Sequence, residues 1–292
     1  MLELILQTCV NAIIATSFAA IFAVGLMLIF GVMQIINFAH GELYMAGAYT
    51  VWVVYAENNL PFFVAVLAAA LVVIVIGLLM EVALFRPLRG NMLGGLIVSI
   101  GMLFILQVLA VHFFGEGLMK TILSPYRGAW EVFGLRGITV PYQRLIVLGV
   151  ASGLLALFWV FLRRSRLGWA LRACTQDPEA AALQGISINK FALIAMAISA
   201  GLAGVGGAVM APLVVVDPHM GSSVIIMALI VVIVGGLGSL EGAVLAAIIY
   251  TFFHTFMTTF FDGVIANILG LVVMMLVLVI RPTGIMGTSE KS

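Results

Sequence analysis

Asn37, His40, Glu42 and Tyr44 fall within the short stretch NFAHGELYMAGAY, in a chain that is otherwise strongly apolar. On a helix, Asn37, His40, Tyr44 and Gly47 lie near one stripe bordered by Gly41 and Ala48, with Glu42 about a hundred degrees round from Gly41. Two readings of the stretch are open. In the first, Asn37 caps a helix while His40 and Glu42 bond to neighbouring helix ends or to each other. In the second, a broken helix at a subunit junction turns its polar face to the inner gate of a pathway. Ser99 and Gln107, eight residues apart and close to one helix face, are further pathway candidates. For each of these the competing role is an interhelical hydrogen bond.

No other residues converge on a chemistry. The four histidines, His40, His112, His219 and His254, are scattered. No Ser-His-Asp set is visible. Cys9 and Cys174 are far apart and read as small apolar residues, not metal ligands. The glycine-rich GGLGSLEG at 235–242 has no lysine to reach a phosphate. The sequence therefore predicts a non-enzymatic chain with no catalytic residues, metal or cofactor. Uphill movement of a solute would draw on a partner or an ion gradient.

The elements that must position these groups are membrane helices. Of 292 residues, 64% are apolar and 9% charged, against roughly 45–50% and about 25% in soluble domains. Apolar runs recur near 9–32, 37–56, 61–84, 92–114, 143–162, 189–212, 222–238, 241–260 and 263–280. This predicts an all-α, polytopic transmembrane bundle of about nine spans, with eight to ten admissible, forming one domain over 1–292. The first run is too long for a cleaved signal and is read as a retained helix. With the N-terminus outside, Arg86, Arg89, Arg163, Arg164, Arg166, Arg172, Lys190, Arg281 and Lys291 all face the cytoplasm. Lys120, Arg127, Arg136 and Arg144 fall in one long outer segment, 115–144, read as a short hairpin or an interfacial helix. This map puts residues 33–40 near the inner interface, where Glu42 can snorkel. Ala200, Gly204 and Ala208, and likewise Ala203, Gly207 and Ala211, form small-residue faces for close helix packing.

The inner segment RRSRLGWALRACTQDPEAAALQGISINK, 163–190, is too long for a turn. Asp177 suits an N-cap, Pro178 the first helical position and Glu179 the positive end of the dipole; Gly185 is a C-terminal stop. The prediction is a capped two-turn helix outside the membrane. Glu241 is read as a carboxylate near a helix N-terminus. Asp217 and His219 are read either as a docking point for an outer protein or as an ordinary Asp-Pro turn.

GLMLIFGVMQIINFAHGELYMAGAY, FRPLRG, SRLGWALRACTQDPEAAALQGI, GGLGSLEGAVLAA and RPTGIMG, taken in order, resemble the permeases of branched-chain amino-acid ABC transporters of the LivH type. The resemblance runs from about residue 25 to 287. EAA with Gly185 after it also resembles the coupling loop of ABC permeases, without the Leu-Pro that ends that loop in other importers. The resemblance implies a subunit of an ATP-driven importer in a bacterial inner membrane. Two permeases, this one with a related type or with itself, would form the pathway. Two ATPase subunits would sit beneath, and a periplasmic or lipid-anchored binding protein would deliver leucine, isoleucine or valine. No nucleic acid is implied. Arg172, Asp177, Pro178, Glu179, Ala182 and Gly185 would make the helix-in-groove contact with the ATPase. Asn37, His40, Glu42, Ser99 and Gln107 would line the pathway or gate. Urea, amides or small organic acids on the same architecture, or an ATPase-independent carrier or channel, are the alternatives.

Overall fold

The computed structural model describes residues 1–115, 119–131 and 138–287; Arg136 and Lys291 of the charge map lie outside them. Among the described residues, seven helices are long and apolar enough to cross a membrane. They are α1 (Leu2–Met33), α3 (Phe62–Met80, continued by π and 3-10 turns to Leu88), α4 (Met92–Phe114), α5 (Tyr142–Arg164), α8 (Ile188–Met210), α10 (Leu240–Phe260) and α11 (Gly263–Ile280). Two shorter helices lie among them: α2 (His40–Val51), prolonged by a π-helical stretch to Glu57, and the apolar α9 (Met220–Gly235). The chain is thus an all-α polytopic membrane protein. Two small helices, α6 (Arg166–Gln176) and α7 (Pro178–Leu183), project at the end that carries most of the arginines, called here the basic end.

α1 is the axis of the bundle. It is apolar all round, the pattern of a helix enclosed on every side. From Ser17 to Met33 nearly every side chain is buried, against α5, α8, α9 and α10. α4 and α11 are also apolar but stand at the edge, with Leu93, Ile97 and Phe104, and Val264, Ile268 and Val279, turned outward. Apolar side chains facing outward suit a helix bordered by lipid.

Small residues set the helix spacing. A Cβ on Gly47 would strike the Gly204 carbonyl, and one on Gly207 the Tyr44 carbonyl, so α2 and α8 touch backbone to backbone. On its other side α8 meets α3 where Ala200 packs against Gly77. In a membrane, where helices gain little from excluding water, such close approach supplies the packing energy.

The second apolar run is broken at its start. Gln34 takes a left-handed φ of 54°, and the backbone stays non-helical until Ala39. Ser99 of α4 holds this stretch. Its hydroxyl accepts from the Phe38 N–H at 3.2 Å and shares its own proton between the carbonyls of Leu96 (2.8 Å) and Ile36 (3.2 Å).

Opposite the basic end, β1 (Ala129–Glu131) pairs antiparallel with β2 (Thr139–Pro141), Trp130 opposite Val140. The described residues of segment 115–144 thus hold an antiparallel strand pair and no interfacial helix. Beyond α11 the chain folds back on α9: Ile285 and Met286 donate their N–H groups to the carbonyls of Val234 (2.9 Å) and Gly235 (3.0 Å). Gly236, at φ 103°, is required there, because a side chain would meet Gly287 and the Thr283 carbonyl.

Candidate functional site

The N-terminal turns of α2 and α9 meet inside the bundle. Gly41 and Gly221 pack so closely that a Cβ on either would run into the other's carbonyl. Glu42, the third residue of α2, is fully buried beside this contact. Its Oε1 accepts from the Gln107 amide at 3.0 Å, and the same amide nitrogen donates to the Ser222 hydroxyl at 3.2 Å, in the first turn of α9. The carboxylate therefore lies between two positive helix ends, which favour negative charge without a basic partner. Its second oxygen has no hydrogen-bond partner among the described residues.

This depth differs from the expectation. Gln107 lies fifteen residues beyond Met92 at the basic end of α4, which is about 22 Å of helix. Glu42 is therefore deep inside the bundle and does not snorkel. The reason is the break: residues 34–39 climb as non-helical chain, so α2 begins well above the basic end. Hydropathy cannot register this, because an extended apolar segment scores like a helical one.

Asn37 and His40 are also fully buried. The α2 N-cap is Ala39, and the side chain of Asn37 does not cap the helix. Among the described residues, its two amide atoms and both His40 ring nitrogens make no hydrogen bond. The imidazole lies against the Phe22 ring, centroids 4.5 Å apart, and over Gly25, whose carbonyl accepts from the Ser199 hydroxyl at 2.6 Å. The five residues named as pathway candidates thus gather around α2: Gln107 on Glu42, Ser99 on the break, Asn37 and His40 between them.

At the basic end the sequence-read helix is present as α7. Asp177 accepts from the Ala180 N–H at 2.9 Å, Pro178 opens the helix, and Gly185 takes a φ of 81° just past it. Ala181 is buried against the rest of the protein, whereas Glu179, Ala182 and Leu183 are exposed, Leu183 to 87%. α6, which the sequence reading treated only as basic flank, is a helix capped by Ser165 through the Gly168 N–H (2.8 Å). Its apolar face, with Leu171 and Cys174 buried, seats it on the bundle, and Arg172 stands exposed. The signal was there: Ser165 before the run, then apolar residues at helical spacing.

Another missed group is Glu81, fully buried in the π turn that ends α3. Its Oε1 is 2.5 Å from Arg89 and 3.9 Å from Arg86. Arg89 also bonds Asn189, the second residue of α8, which starts soon after α7. Only the pairing of Glu81 with basic residues five and eight positions later hinted at this. Glu241 lies in the first turn of α10, which Ser239 caps, and forms an exposed ion pair with Arg163 at 3.3 Å. Asp217 accepts from the His219 N–H at 2.8 Å, forming a local turn.

A bundle of apolar helices around a buried polar centre, with a short helix turning an exposed face outward at one end, is the build of a membrane permease. The chain belongs to the family of branched-chain amino acid transport system permease components, whose family model matches residues 8–280. It is 32% identical to the high-affinity branched-chain amino acid transport system permease protein BraD of Pseudomonas aeruginosa, covering 98% of this chain and 96% of that one. It is 30% identical to the permease protein LivH of Escherichia coli over the same shares. LivM of Escherichia coli is 27% identical, over 91% of this chain and 67% of its own length. Among solved structures, PsaBC from Streptococcus pneumoniae in complex with Fab superposes with a TM-score of 0.53 at 14% identity, covering 95% of this chain and 93% of that one. That likeness concerns the fold alone.

Proposed function

We propose that this chain is the permease subunit of an ATP-driven importer of branched-chain amino acids, in a bacterial inner membrane. Its single permease domain crosses the membrane about nine times, with α2 and α9 completing the seven long helices and the N-terminus outside. The basic end then faces the cytoplasm. A soluble binding protein delivers leucine, isoleucine or valine, a second permease completes the pathway, and two ATPase subunits drive it. The match to relatives named for branched-chain amino acid transport supports the cargo.

One observation carries the mechanism: α7 is a rigid, doubly capped rod whose outer face is bare. A connector has no use for such a shape, whereas a groove on a motor subunit does. Arg172, Asp177, Pro178, Glu179, Ala182 and Gly185 form or frame the contact. Movement of the rod passes along α8 to α2, which packs on it. There Glu42, Gln107, Ser99, Asn37 and His40 form a polar lock whose pairing changes as the inner gate opens.

The test is uptake of labelled leucine by proteoliposomes holding the whole complex and its binding protein. ATP-dependent accumulation is expected, and it should vanish with Glu179→Trp and Ala182→Trp together. Assembly and uptake that survive both substitutions would overturn the assignment of α7.

A further inference from the structure

The lock residues are all buried within one subunit, so in this conformation they line no open passage. A different surface does have an opening. Between α9, α10 and α11 lies a cavity of about 410 Å³, open on one side. Tyr250, Thr251, His254, Thr255, Asn267 and Ser223 line it. His254 and Asn267 join across it, Nε2 to Oδ1 at 2.9 Å. Tyr250 with His254, and Thr251 with Thr255, repeat at four-residue spacing, so the polar groups run as a strip along α10.

The depth makes this strip unusual. His254 lies six residues from the end of α10 and Tyr250 ten, about 9 and 15 Å down the helix. Polar and ionisable groups at such depth belong against protein or a watery cavity, not against lipid. A larger cavity, about 550 Å³ between α1, α5 and α10, is walled by Val24, Leu155, Phe158 and Trp159 and suits acyl chains. The polar groove does not. Its opposite wall, with Val224, Met227 and Ile230, is apolar. A strip of hydroxyl, amide and imidazole groups facing an apolar wall offers hydrogen bonds to the charged ends of a small zwitterion and contact to its aliphatic side chain.

We propose that this groove is the outer part of the solute path, and that the second permease closes its open side. The inference rests on the importer reading given above. It also explains how groove and lock communicate: Ser222 bonds Gln107 on one face of α9, and Ser223 lines the groove on another.

The experiment uses the complete complex with Cys9→Ser, the other cysteine, Cys174, being buried at the basic end. Ser223→Cys, Thr255→Cys and Asn267→Cys are each treated from outside with a charged, membrane-impermeant methanethiosulfonate, at rest and during ATP turnover. Ile268→Cys, at the depth of Asn267 but turned away from the groove, is the comparison. The groove positions should react roughly tenfold or more faster in at least one state, because the reagent needs a hydrated thiolate. In parallel, Asn267→Trp, which fills the groove, should lower leucine uptake about tenfold or more while the ATPase subunits still co-purify. Labelling of Asn267→Cys no faster than that of Ile268→Cys in both states overturns the groove. So does uptake by Asn267→Trp within about twofold of the unaltered complex. Labelled groove positions in a complex that imports no leucine would overturn the cargo reading and leave the groove standing.

Discussion

Glu81 and Arg89 form an ion pair at 2.5 Å, the carboxylate fully buried and the guanidinium mostly so. Through Asn189 the same guanidinium fastens the end of α3 to the start of α8, just beyond the exposed rod. Removing one partner of a buried pair leaves the other charge uncompensated, at a cost of about 3 kcal/mol for a pair with this residual exposure. Glu81→Ala is therefore expected to lower the thermal midpoint of the purified complex, and Glu81→Gln, which keeps an acceptor, to lower it less. Under the proposed function, ATP hydrolysis should persist in Glu81→Gln while uptake falls. Equal stability of the alanine variant and the unaltered protein would dismiss the pair as a fastening.

Gly41 and Gly221 make a second prediction by contrast. Either one changed to alanine drives a methyl group into the facing carbonyl, an overpacking worth about 1–3 kcal/mol or more. Gly149 on α5 has nothing within 4 Å of its missing Cβ. Gly149→Ala should leave the midpoint where it is or raise it slightly, since alanine is the better helix former. Thermal unfolding of the three variants, followed by loss of monodisperse protein, separates them.

The hydrogen bond from Gln107 to Glu42 is open to an exchange test. Gln107→Leu removes the donor and should destabilise by about 1–3 kcal/mol. Gln107→Glu alone sets two carboxylates together and should do worse. The double exchange, Glu42→Gln with Gln107→Glu, restores an amide and a carboxylate within reach of Ser222. It should recover most of the loss, which a double-mutant cycle measures directly.

On α7, Asp177→Ala removes the cap and should weaken the rod by about 1 kcal/mol, with Asp177→Asn recovering it. The readout is the salt concentration at which the ATPase subunits dissociate from the membrane complex. No difference between the alanine and asparagine variants would mean that the cap does not matter to docking.

How much of this was legible in the sequence differs from element to element. α7 could be bounded closely, because Asp177, Pro178 and Gly185 act through local backbone chemistry that needs no tertiary partner. The long helices were equally plain, since lipid selects apolar composition directly. The non-helical climb of residues 34–39 was not, because Ile35, Ile36 and Phe38 are as greasy in extended chain as in a helix. Glu42 consequently seemed to lie near a surface, although its surroundings come from α4 and α9, 65 and more residues away. His254 looked like one scattered histidine because Asn267, its partner, sits across a helix reversal. Side chains that only tertiary packing brings together leave no spacing to read.

The turn after α11 that closes on Val234 and Gly235 fixes what kind of motion α9 can make. A sixteen-residue helix tethered at one tip is an arm about 24 Å long. Sliding along its axis would break both bonds at that tip, whereas tilting about the tip would keep them. Displacement is then smallest at the tethered tip and greatest at the other, where Gly41 leans on Gly221 and the two serines sit. A modest tilt, amplified along that arm, would part the glycines and shift both serines in one stroke.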